Sequence, residues 1–105
     1  MGVLQRFYIR AGGAEQVETV IRLSSDGRGI ITGRVVSESG DAQESVCVLL
    51  YDTMGKQEFS GYRLIDSVFT DENGVFVLGP IEEGCLYAVY IYKSGVKVRQ
   101  LEVKG

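Results

Sequence analysis

Val68-Phe69-Thr70-Asp71-Glu72-Asn73-Gly74-Val75-Phe76-Val77-Leu78 reads as strand, turn, strand. Asn-Gly takes positive φ readily, as a tight reversal of an extended chain requires, and the flanking Val and Phe residues are strong strand formers. The spacing predicts a hairpin with its turn at 71–74. Weaker turns of the same sort are expected at Asp26-Gly27-Arg28-Gly29 and Glu38-Ser39-Gly40-Asp41, and a glycine pair stands at Gly12-Gly13. Between such points the chain repeats short runs of Val, Ile, Tyr and Phe, with no helical period over any long window. Even 14–23, the best helix candidate, alternates: Val17, Thr19, Ile21 and Leu23 against Glu18, Val20 and Arg22.

Strands are therefore expected at 3–10, 17–23, 30–37, 46–52, 62–69, 75–79, 86–93 and 96–103. Pro80, the single proline, is expected just after a strand, where its missing N–H costs least. The fold class that follows is all-β, a seven- to eight-stranded antiparallel Greek-key sandwich. The 105 residues fit one domain, and 45% apolar with 24% charged residues is an ordinary globular balance that should fold. Within it, residues 1–29 read as an N-terminal β-hairpin extension packed on the same domain, and 30–105 as the sandwich body.

Two strands are apolar on both faces. Val46, Val48 and Leu50 alternate with Cys47, Leu49 and Tyr51, and Leu86, Ala88, Tyr90 and Tyr92 alternate with Tyr87, Val89 and Ile91. A strand with one wet face would show polar residues at alternate positions, so something must cover the second face: the N-terminal strands or another copy of the chain. Cys47, Leu49, Tyr51, Tyr87, Tyr90 and Tyr92 are the candidate interface. In the last strand Val96 and Val98 share one parity while Leu101 and Val103 share the other, which predicts a bulge near Arg99-Gln100.

Two segments together resemble the carboxypeptidase regulatory-like domain of the prealbumin-like (transthyretin-like) β-sandwich group. The first runs from Gly33 through Val35 and Gly40 to Val46 and Val48; the second is Thr70-Asp71-Glu72-Asn73-Gly74-Val75-Phe76-Val77-Leu78, followed by Ile81 and Gly84. The likeness covers about 30–103. Ala42 and Gln43 replace a usual proline and aliphatic pair, and Ser45 a common glycine. The resemblance implies a prealbumin-like sandwich serving as a non-catalytic accessory or scaffold module.

The chain contains no histidine, which removes the usual general base, the commonest metal ligand and every Ser-His or Cys-His pair. No catalytic residue, cofactor or metal site is expected, and the chain reads as no enzyme. Asp71-Glu72 and Glu82-Glu83 read as solvated turn acids, without the alternating pattern of a Ca²⁺ loop. Cys47 and Cys85, expected inside strands, read as buried or half-buried thiols used as small hydrophobes, with a disulfide between neighbouring strands as the weaker alternative. Eleven basic residues scattered among 14 acidic ones, for a net charge of −3, argue against nucleic acid, and no apolar run is long enough for a membrane span or a signal peptide. A cytoplasmic location is the expectation. The leading functional expectation is a non-catalytic structural or protein-interaction module that binds a protein partner or itself. The alternative is a carbohydrate- or peptide-binding module using tyrosines drawn from positions 8, 51, 62, 87, 90 and 92.

Overall fold

The computed structural model describes residues 3–10, 16–56 and 59–105, with 3–10 described by its backbone. Eight strands run in the order β1 (Val3–Arg10), β2 (Gln16–Leu23), β3 (Arg28–Val36), β4 (Cys47–Asp52), β5 (Arg63–Phe69), β6 (Val75–Glu82), β7 (Leu86–Lys93) and β8 (Val96–Lys104), with one 3-10 turn at Phe59–Gly61. They form two antiparallel four-stranded sheets, β1-β2-β3-β6 and β5-β4-β7-β8. The second is called the tyrosine sheet below, and the first the N-terminal sheet. The expected turn at Gly12-Gly13 lies outside the described residues, as do the side chains of β1.

The core is the sum of the inward parities. Val17, Ile21 and Leu23 from β2, Ile31 and Val35 from β3, and Phe76, Leu78 and Ile81 from β6 meet Val48 and Leu50 from β4, Tyr87, Val89 and Ile91 from β7, and Leu101 and Val103 from β8. Alternation delivers each set to one face because successive strand side chains point opposite ways. The N-terminal hairpin therefore does not lie over the second face of β4 and β7. Its strand β2 pairs with β3 along their whole length, from Gln16 opposite Val36 to Leu23 opposite Gly29, and its apolar parity fills the shared core. Covering by the chain's own N-terminal strands is thus corrected: those strands widen the opposite sheet.

The turn at 71–74 forms, but the hairpin does not. Asp71 Oδ1 accepts the N–H groups of Asn73 at 2.8 Å and Val75 at 3.0 Å, and Gly74 alone takes positive φ, at 75°. The strands on either side belong to different sheets, β5 to the tyrosine sheet and β6 to the N-terminal one. The turn is a corner between layers. An added Cβ on Gly74 would lie 2.4 Å from the Val35 carbonyl oxygen, so glycine is required by space as well as by φ. Thr70, 4% exposed, secures the corner: its hydroxyl donates to the Gln43 carbonyl and accepts the Val46 N–H.

Pro80 lies inside β6 rather than after it, on an edge strand and beside the register shift opposite Gly29 and Ile31. Both features spare a ladder hydrogen bond. In β8 the pairing steps from Ile91–Arg99 to Tyr92–Lys97, leaving Val98 as the extra residue. The bulge adjoins the expected Arg99-Gln100, and it lets Val98 pack on the core along with Leu101 and Val103, while Val96 stays 63% exposed.

Candidate functional site

The outward face of the tyrosine sheet is built by register. Because Val48 and Leu50 point into the core, Cys47, Leu49 and Tyr51 point away from it; the same parity turns Ala88, Tyr90 and Tyr92 outward. Cross-strand pairing then arranges three rows. One runs Phe69–Cys47–Tyr92–Lys97, the next Ser67–Leu49–Tyr90–Gln100, and the third Leu64–Tyr51–Ala88–Glu102. Two bulges keep the outer strands in phase. Val98 is the extra residue in β8, and in β5 the shift from Leu50–Asp66 to Tyr51–Leu64 leaves Ile65 free to pack on the core.

Five of the six sequence candidates, Cys47, Leu49, Tyr51, Tyr90 and Tyr92, share this face. Tyr87 does not, which corrects the candidate set. Its ring is 3% exposed in the core, and its hydroxyl accepts the Glu82 N–H at 2.7 Å, with burial foremost in pushing its pKa up. Its parity with Val89 and Ile91 was the signal, outweighed by the habit of tyrosine to sit at surfaces. Phe69 and Leu64, 68% and 53% exposed, were missed. The bulge in β5 breaks its alternation, so no single parity marks them. Of the two thiols, Cys47 opens β4 between Phe69 and Tyr92, whereas Cys85 lies in the turn before β7 rather than in a strand; both are free and half-buried.

The rings are packed against one another. Tyr51 meets Tyr90 edge-on at 5.3 Å between centroids and Tyr62 at 6.4 Å, with interplanar angles of 61° and 47°. Lys97 Nζ lies 5.0 Å from the Tyr90 centroid, a cation–π contact at the β8 end of the rows. These neighbours leave Tyr90 6% exposed although it faces outward. Desolvation, with the neighbouring phenols, raises the pKa of Tyr51 and Tyr90, so both hydroxyls stay protonated well above neutral pH. The face offers apolar and aromatic contact, neutral donors, and at the β8 edge the cations Lys97 and Lys104 and the carboxylate Glu102. Among the described residues no three of His, Cys, Asp and Glu gather where they could hold a metal ion, and no helix is long and apolar enough to cross a membrane. Compared with protein-family models, curated proteins and solved structures, the chain finds no match in any of the three.

Proposed function

We propose that the chain is a non-catalytic structural or protein-interaction module whose contact surface is the outward face of the tyrosine sheet. The observation that carries this reading is the exposure of Phe69 and Leu64 beside the half-buried Cys47, Leu49, Tyr51 and Tyr92, on a face that the N-terminal sheet does not pack against and within which Ala88 and Tyr90 are buried. Contiguous apolar patches of this kind mark interaction sites far more often than scattered exposed side chains do. Tyr, Phe and a depleted charge count are also the composition of an interface core.

The proposal extends to the topology, a prealbumin-like Greek-key sandwich like the carboxypeptidase regulatory-like domain. Three connections that cross between sheets, β3 to β4, β5 to β6 and β6 to β7, favour it. So does the meeting of the two segments on which the likeness rests. Gly33 pairs with Phe76, and the Phe76 ring occupies the space a Cβ on Gly33 would fill, 2.1 Å away. The carbohydrate- or peptide-binding alternative is disfavoured by the tilted rings, since stacking on a sugar needs an open, flat aromatic face and Tyr90 is nearly covered.

A benzophenone side chain at position 69 tests the reading in the cells that make the protein, with the same group at Val77, on the outward face of the N-terminal sheet, as the control. Discrete cross-linked adducts from 69 and none from 77 are expected. No adduct from 69, or the same adducts from both positions, sinks the proposal.

A further inference from the structure

Resting on that reading, we propose that the partner on this face is a second copy of the chain, docked about a two-fold axis that runs across the strands along the row Ser67–Leu49–Tyr90–Gln100. A two-fold interface must be self-complementary, so each residue's opposite number decides whether it can close. Rotation about an axis across the strands brings the first row onto the partner's third. Phe69 then faces the partner's Leu64, Cys47 faces Tyr51, and Lys97 faces Glu102, each contact occurring twice, while Tyr92 lies over the position of Ala88, which is itself fully buried beneath its neighbours. Apolar meets apolar at the β5 end, and cation meets carboxylate at the β8 end. The rotation along the strands fails this requirement. It would set Phe69 on Lys97 and Leu64 on Glu102, desolvating two charges against hydrocarbon without a counter-ion.

Dimensions agree with the pairing. The rows cross four strands that lie about 4.8 Å apart, so the contact spans roughly 20 Å across the sheet. Adjacent rows lie two residues apart, about 6.8 Å along the strand. Face-to-face sheets cross at about 30°, which displaces residues in the outer rows by roughly 4 Å, within the reach of a lysine and a glutamate side chain. Both charges lie at the rim, where they select orientation more than they add affinity.

Charge exchange tests the axis. Sedimentation equilibrium should show a concentration-dependent dimer of the whole chain. Lys97→Glu and Glu102→Lys, each of which brings like charges together twice, should each weaken it about tenfold or more. The double exchange should bring the dissociation constant back to within a few-fold of the original, and Lys97→Arg should leave it in place. Phe69→Arg should abolish the dimer while circular dichroism and melting show the sandwich intact. A chain that stays monomeric at every concentration overturns the proposal, as do single exchanges without effect or a double exchange as weak as the singles. If position 69 nevertheless cross-links to a different protein, the interaction surface stands and only its occupant is wrong; if it cross-links to nothing, both readings fall.

Discussion

Thr19 points into the core, 1% exposed, and its hydroxyl has no hydrogen-bond partner among the described residues. A buried hydroxyl that has lost water without gaining a partner costs about 1–3 kcal/mol. Thr19→Val keeps the β-branched shape and the strand propensity, so the variant should be more stable by about 1–2 kcal/mol in urea unfolding; an unchanged or lower midpoint would mean that the hydroxyl is satisfied after all. Ser45 carries the opposite kind of strain. Its φ of 61° lies in the left-handed region, at about 1–2 kcal/mol for a residue with a Cβ, of which glycine would give back about 0.5–1 in unfolded-state entropy. Ser45→Gly should therefore stabilise by about 0.5–1 kcal/mol, read from the same denaturation curve at unchanged slope.

Most strands were legible to within two residues, because they carry a period of two or an apolar run between turn glycines, although β6 runs three residues past its expected end and bulges break the alternation of β5 and β8. What the residues did not disclose was which strands pair. Asp71-Glu72-Asn73-Gly74 has all the chemistry of a hairpin turn and makes a corner instead, since local turn preference specifies reversal of direction but not membership of a sheet. Tyr87 and Phe69 were misjudged for related reasons. A doubly apolar strand conceals which parity is inner, and the bulge in β5 hides the outer one. The turn that opens β3 behaves as its sequence suggests. Asp26 accepts from the Ser24 hydroxyl, from the Arg28 N–H and from the Arg28 guanidinium, and these bonds, Ser24 first, lower its pKa from 3.8 to about 2. The folded value lies below the unfolded one, so whatever the bonds contribute is present above about pH 4 and is lost as pH falls through about 2. Following the Asp26 carboxyl carbon by NMR should give that low midpoint, and Ser24→Ala should move it back toward 3.8. A midpoint near 3.8 in the unaltered chain would show the turn to be open in solution.

The molecule as a whole depends on its N-terminal strands for its core. Val17, Ile21 and Leu23 are each at most 4% exposed, and burying such side chains contributes about 1.5–3 kcal/mol apiece. Against a total stability of about 5–15 kcal/mol, their removal with β1 and β2 is close to decisive. Deleting 1–29 should therefore abolish cooperative unfolding and bind a hydrophobic dye through an opened core, with the outward tyrosine face as exposed as it was before. A truncated chain that melted cooperatively near the original temperature would show that β3 and β6 close the core alone.

The corner at 71–74 also sets a timetable. Because β6 returns to β3 and β7 to β4, neither sheet can be completed before the other has been started, and the inner layer waits for Leu101 and Val103 in β8. Contacts between residues so distant along the chain are won only after long loops have closed, which places such topologies among the millisecond-to-second folders. During synthesis the early strands would leave the ribosome with their apolar parity bare and no partner layer to receive it. Apolar surface bare for that interval is prone to aggregation, the hazard that chaperones exist to meet.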